Sequence, residues 1–302
     1  MPLWVTISIG AAFLQNARSA LQKQLSDEVG TLGATYARFL FALLFTPFYV
    51  LALGPLSGVD LPAPNWAFLA YCLAGGTAQV LATAALLYSF TFRNFAVGTT
   101  FSKTETIQTA IIGFLLLGEG VSLMAGLAIL ISFFGVIALS MRDDDQSMFA
   151  AFRALNQPAA LYGMASGLLF GLSGVSFRAA SLTLGDDQSM FVNASMTLLV
   201  TQVWQTLIMS LWFLARAPET IMATIRAWKL ALPVGLTGMM ASAGWFTALA
   251  LFNAAYVRAV GQMELLFALA TSVIVFKDRI TRREVLGMVL VTGGIVLLLL
   301  YA

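Results

Sequence analysis

The run 104–135 reads TETIQTAIIGFLLLGEGVSLMAGLAILISFFG, and the run 263–294 reads MELLFALATSVIVFKDRITRREVLGMVLVTGG. In the first, Glu105 is followed 14 residues on by Glu119, and Gly135 comes 16 after that. In the second, Glu264, Asp278 and Gly294 keep the same two intervals. Between the acids, 107–118 and 266–277 are almost wholly apolar. Upstream, Gly10-x-x-Phe13 parallels Gly167-x-x-Phe170. Apolar helices resemble one another by composition alone, but matched acids at matched spacing favour an internal duplication.

Composition says what surrounds such runs. The chain has 302 residues, 60% hydrophobic and 10% charged, with mean hydropathy +0.88. Soluble domains average about 25% charged residues, so a water-solvated body and a disordered chain are both excluded. There is no His and a single cysteine, Cys72. This removes imidazole acid–base chemistry, an internal disulfide and a thiolate metal cluster. Net charge is +2 with no polybasic run, which argues against nucleic acid as a partner. No phosphate-binding Gly-x-x-x-x-Gly-Lys-Ser/Thr loop and no Gly-x-Ser-x-Gly element occurs.

A helix needs about 20 mostly apolar residues to span a bilayer. Ten such spans are predicted, at 3–21, 33–53, 66–90, 96–117, 121–141, 158–183, 190–214, 230–252, 256–276 and 284–301. The fold class is therefore an all-α polytopic membrane protein with ten transmembrane helices. They form two five-helix repeats, 1–145 and 146–302. Five is odd, so the second repeat is inverted relative to the first. Lys23, Arg93, Arg142, Arg153, Arg216, Arg226, Lys229, Lys277, Arg279, Arg282 and Arg283 fall in connections 1–2, 3–4, 5–6, 7–8 and 9–10. The positive-inside rule makes those connections cytoplasmic and puts both termini outside the cytoplasm.

These features resemble the drug/metabolite transporter superfamily, in its ten-helix, two-repeat, EamA-like members. There each repeat carries an acid near the start of its fourth helix, a Gly-acid pair at that helix's end and a Gly-bearing fifth helix. Here these read Thr104-Glu105-Thr106, Gly118-Glu119 and Gly135, then Met263-Glu264-Leu265, Lys277-Asp278 and Gly294. Arg38-Phe39 resembles the family's Arg-Phe position. Where the family often has Pro after the acid, this chain has Thr106 and Leu265, so helices without a proline kink are expected. The resemblance implies export of small metabolites and, within the superfamily, is nearest to bacterial exporters of amino acids, aromatic ones included.

Charges inside a span cost at least about 2.5–3.5 kcal/mol each, so they face a partner or a polar cavity. Arg38, Lys103, Glu105 and Glu264 are such residues. Lys103 and Glu105 point to different sides of their helix and are poor partners for each other. A zwitterionic amino acid suits the set, with Lys103 or Arg38 meeting its carboxylate and Glu105 or Glu264 its ammonium. Inter-helix salt bridges that fix packing or close a gate are the alternative. Gln79, Tyr88, Trp245 and Asn253 are candidates to line the same cavity, against ordinary packing as the plainer role. Arg18, Arg178 and Arg258 lie nearer span ends, where long side chains snorkel. Glu119 and Asp278 read as N-terminal caps of the next helix.

The expected function is a secondary transporter of the bacterial inner membrane that exports small metabolites, amino acids first, by alternating access about a midplane site. The alternative is a multidrug or other small-metabolite exchanger of the same fold. A membrane-embedded enzyme or a channel ranks below both, and no enzymatic activity is expected. Partners are a small-molecule substrate and membrane lipid. Protons are a candidate coupling ion through Glu105 or Glu264, with facilitated diffusion the competing mode. No cofactor, metal or nucleic acid is expected.

Overall fold

The structure is a computed structural model whose described residues are 1–89, 101–140, 158–185, 189–276 and 282–301. Arg93, Arg142, Arg153, Lys277, Asp278 and Arg279 lie outside them. Helix dominates the described residues, and no strand occurs among them. In chain order the helices are α1 (Leu3–Ala42), α2 (Thr46–Leu53), α3 (Trp66–Ser89), α4 (Glu105–Leu117), α5 (Leu123–Ser140) and α6 (Pro158–Thr183). They continue with α7 (Met190–Arg216), α8 (Pro218–Arg226), α9 (Trp228–Leu251), α10 (Ala254–Gly261), α11 (Met263–Phe276) and α12 (Arg282–Leu300).

Where they are described, the predicted spans are mostly helical, with three instructive differences; residues 90, 96–100 and 141 of spans 3, 4 and 5 lie outside the described residues. First, spans 1 and 2 have almost no loop between them. Helix runs to either side of Gly30, whose φ of 72° only glycine adopts without strain. Gln22 Nε2 donates to Thr35 Oγ1 at 3.2 Å, so the chain doubles back there as an antiparallel hairpin. Second, the connection after span 7 folds into a helix of its own, α8, with Pro218 at its first position, where the missing N–H costs nothing. Third, spans 2, 4 and 9 are interrupted, at 43–45, 103–104 and Gln262.

The chain forms two compact units, each drawing on both sequence halves: Met1–Thr77 with Ser176–Phe252, and Ala78–Val175 with Asn253–Ala302. In the first unit α9 lies along α1 through small residues. A Cβ on Gly235 would meet Phe41 Cβ at 2.5 Å and Ala42 N at 2.9 Å, and one on Gly244 would meet Ala11 Cβ at 2.8 Å. Such contacts let backbones approach where no hydrophobic drive exists between helices in lipid. Elsewhere in this unit α3 packs on α7 through Gly76, whose added Cβ would lie 3.1–3.5 Å from Trp204, Thr201 and Gln205. Trp204 Nε1 donates to Thr77 Oγ1 at 2.9 Å, and Thr46 Oγ1 donates to the buried Gln202 Oε1.

In the second unit α5 and α12 meet through Gly135 and Gly294. A Cβ on Gly135 would meet Val291 N at 2.6 Å and Gly287 O at 2.9 Å. One on Gly294 would meet Ser132 Oγ and, at 2.8 Å each, Ser132 N and Ala128 O. Glu105 and Glu264 are 159 positions apart, and the same offset takes Gly135 to Gly294, Ser132 to Val291 and Ala128 to Gly287. The contact is therefore reciprocal, each glycine lying on the other copy's equivalent residues. In the first unit, the offset relates Gly76 on Thr201 to Gly235 on Ala42 in the same way.

Large apolar side chains cover much of the exterior: Phe48, Phe114, Leu115, Trp212, Leu286 and Val289 are all exposed. Surface of that kind is solvated by lipid. By length and composition, five described runs are able to cross a membrane: Leu3–Ser57, Trp66–Ser89, Pro158–Thr183, Met190–Arg216 and Trp228–Leu251. Shorter apolar helices among the described residues are Glu105–Leu117, Leu123–Ala138 and Val285–Leu300.

Candidate functional site

The second unit gathers charged and polar side chains around the interruptions in spans 4 and 9. Both breaks are tightened turns made without proline. Thr104 N donates to Phe101 O at 3.2 Å, and its own hydroxyl donates to the same carbonyl at 2.6 Å. A side-chain donor that competes for a backbone carbonyl is one cause of such local distortion. Gln262 N reaches Ala259 O at 3.2 Å, and Leu265 N reaches Gln262 O at 3.0 Å, both in the three-residue pattern of a 3₁₀ turn. No proline kink is present at Thr106 or Leu265, as expected, yet the helices are interrupted just before the acids. Each break falls just before its acid, so Glu105 and Glu264 stand in the first turns of α4 and α11.

Glu105 has a protein partner. Arg258 Nε on α10 lies 3.1 Å from Glu105 Oε1, with side chains 18% and 16% exposed respectively. Arg258 therefore does not simply snorkel from a span end; it answers an acid 153 positions earlier in the chain. Gly174 on α6 makes room for it, since a Cβ there would sit 3.1 Å from both Nε and Nη2 of Arg258. One turn beyond Arg258, Gln262 Nε2 donates to Thr106 Oγ1 at 2.8 Å. Gln262 is only 8% exposed, and its Oε1 accepts no hydrogen bond among the described residues. Two polar links thus join adjacent residues of α4 to Arg258 on α10 and to Gln262 just past its end. Gln108 on the next turn of α4 donates from Nε2 to Met164 O at 3.4 Å, and its Oε1 is likewise an unmatched acceptor among the described residues. Gly167 allows this crowding, because a Cβ there would meet Ser102 O at 2.8 Å and Gln108 Oε1 at 2.9 Å.

The other site candidates divide between the units. Lys103 is half-buried on the turn before Glu105, and Glu264 is half-buried two residues past Gln262. Gln79 and Tyr88 lie on α3 in this same unit, where Tyr88 meets Tyr162 edge-on at 4.7 Å. Asn253 caps α10, its Oδ1 accepting from Ala255 N at 2.9 Å. In the first unit, Trp245 Nε1 donates to Gln15 Oε1 at 2.8 Å, and the Arg38 guanidinium lies 4.6 Å from the centre of the Phe39 ring. A Cβ on Gly238 of α9 would lie 3.2 Å from Cγ of Arg38 and 3.5 Å from Cδ of Arg18. Arg178, expected to snorkel, donates from Nη1 to Leu249 O at 2.8 Å and Ala250 O at 3.2 Å, satisfying carbonyls at the end of α9.

The Gly118-Glu119 pair proves to be a helix stop. Gly118 has φ 68°, Gly118 N donates to Phe114 O at 3.0 Å, and Glu119 N to Gly113 O at 3.3 Å. The side-chain cap of α5 comes instead from Ser122, whose Oγ accepts from Ala125 N at 3.1 Å.

The sequence itself has counterparts among known proteins. The model of the EamA-like transporter family matches residues 2–141 and again residues 157–300. The chain belongs to the EamA-like transporter family. This EamA-like protein is a polytopic membrane transporter of small molecules, and the double match falls on its two repeats. A crystal structure of a protein is similar over 99% of this chain and 98% of its own, with a TM-score of 0.68 at 12% identity. Likeness at that identity carries the fold alone. No curated protein matches the EamA-like chain in sequence.

Proposed function

We propose that this EamA-like protein exports zwitterionic metabolites, amino acids first, from the bacterial cytoplasm by alternating access. The single observation carrying this reading is the charged group around the α4 break. There a carboxylate, Glu105, and two cations, Arg258 and Lys103, stand with the polar Thr106, Gln108 and Gln262 in mostly apolar spans. Ionisable side chains retained in a membrane span mark substrate or ion pathways. They supply both signs of charge that an amino acid's head group needs.

The repeats run 1–145 and 146–302 with inverted orientation, and both termini lie outside the cytoplasm. The reciprocal glycine contacts at the common 159-residue offset support the duplication. Helices broken at the acids suit carriers, whose binding sites form at discontinuous spans. Proton coupling runs through Glu105 or Glu264.

Purified protein in liposomes, loaded in turn with a panel of radiolabelled amino acids, tests the substrate class. Saturable flux of at least one amino acid, lowered by Glu105→Gln and by Lys103→Ala, is expected. Flux of none refutes the reading. An imposed pH gradient tests the coupling, since flux indifferent to the gradient removes protons from it.

A further inference from the structure

We infer that the Glu105–Arg258 ion pair is itself the substrate subsite, and that an amino acid binds by inserting its two charges into it. The α-carboxylate takes the Arg258 guanidinium, and the α-ammonium takes the Glu105 carboxylate together with Gln262 Oε1. This rests on the amino-acid reading above and replaces Lys103 and Arg38 with Arg258 as the carboxylate anchor.

The argument begins with what an ion pair of this kind accepts. Glu105 and Arg258 are 3.1 Å apart and mostly shielded, though 16% and 18% of their side-chain surfaces remain accessible. A lone anion that captured Arg258 would part it from the Glu105 carboxylate. A lone cation that captured Glu105 would part that acid from the Arg258 guanidinium 3.1 Å away. Leaving one charge of a shielded pair uncompensated is strongly unfavourable. A zwitterion leaves neither stranded, because each protein charge exchanges one partner for another and the local net charge is unchanged. The pair therefore selects ligands that carry both groups and disfavours those that carry one.

A second, independent feature points to the ammonium end. Gln262 is 8% exposed, its Nε2 is committed to Thr106, and its Oε1 accepts nothing among the described residues. Buried acceptors are ordinarily satisfied. Arg258 and Gln262 lie one turn apart on one face of the α10 segment, and the residues they meet, Glu105 and Thr106, are adjacent. A primary ammonium has three N–H donors, enough to serve the carboxylate and an amide oxygen together. Gly174 completes the subsite by leaving the face of α6 bare where the guanidinium lies.

The test is equilibrium binding to the purified full-length protein. Phenylalanine, leucine and threonine are each used as the free amino acid, the decarboxylated amine and the N-acetyl derivative. Wild type is expected to bind an amino acid about 100-fold or more tighter than either derivative, the range seen when one partner of a buried charge contact is removed. Arg258→Gln is expected to abolish the preference over the amine, and Glu105→Gln the preference over the N-acetyl form. Gln262→Met, which leaves the pair intact, is expected to weaken ligands that carry the ammonium by about 10-fold while sparing the N-acetyl form. It keeps the inference testable if the charge variants do not fold. No saturable amino-acid binding by wild type overturns both readings. Amino-acid binding whose preferences are the same in wild type and the folded variants overturns this one alone and makes the pair a packing latch.

Discussion

Replacing Gly294 with alanine is expected to be among the most damaging single-methyl changes in the protein. The added Cβ would be driven against Ser132 Oγ, and would stand 2.8 Å from both Ser132 N and Ala128 O. Real Cβ atoms do not approach backbone nitrogen and oxygen so closely. Two of the three obstructing atoms are backbone, which no rotamer change moves, so α5 and α12 must separate. Overpacking typically costs 1–3 kcal/mol, and a rigid obstruction puts this case at about 3 kcal/mol, or roughly 100-fold in the unfolding equilibrium. The adjacent Gly293 supplies the control, because a Cβ there meets nothing within 4 Å. Gly293→Ala is expected to be neutral, or to stabilise by up to about 1 kcal/mol through helix propensity. Unfolding in graded sodium dodecyl sulfate against mild detergent reads both. Gly135→Ala is expected to resemble Gly294→Ala. The double variant is expected to lose less than the sum of the two, since the first Cβ already forces the helices apart. Equal stability of Gly294→Ala and Gly293→Ala would refute the close approach of α5 and α12.

Other consequences follow from single contacts. Gly174→Ala places its Cβ 3.1 Å from two atoms of the flexible Arg258 end, so folding stability is expected to change by less than about 1 kcal/mol while amino-acid flux in liposomes falls. Trp245→Phe keeps the ring but removes the donor to Gln15 Oε1; a loss of about 1 kcal/mol, read by the same denaturation assay, is expected for one hydrogen bond. Topology is accessible because Cys72 is the only cysteine. In a Cys72→Ala background, a cysteine at position 2 is expected to react in intact cells with a membrane-impermeant maleimide, and one at position 28 only after permeabilisation.

Helix positions were legible because lipid demands long apolar runs and leaves few alternatives for the backbone. Span 6 is predicted at 158–183 and forms as Pro158–Thr183. Gly135 and Gly294 were legible at equal spacing as repeats, though only the structure supplies their purpose of bringing two backbones together; Gly118, with no glycine at the matching position, stops α4 with a positive φ. Asn253 was a missed signal. An asparagine directly before a helix start is a common N-cap, and Asn253 forms one. Arg258 is the deeper omission. Distance from a span end suggests snorkelling, but which helix lies alongside is tertiary information, and nothing local ties residue 258 to residue 105. The breaks at 103–104 and 262 were hidden for a related reason. Proline is the usual sign of a kink, whereas here a threonine hydroxyl and a tightened turn do the same work.

The central claim is that a carrier, rather than a pore or a packing scaffold, is built on the broken helices and their charges. Counterflow tests it most directly. Liposomes holding wild-type protein are loaded with millimolar unlabelled amino acid and diluted into a trace of the same amino acid in labelled form. A transient accumulation of label above its equilibrium level, absent in Glu105→Gln, is the expected result. Label that rises only to equilibrium, at the same rate with or without the internal load, would contradict the account.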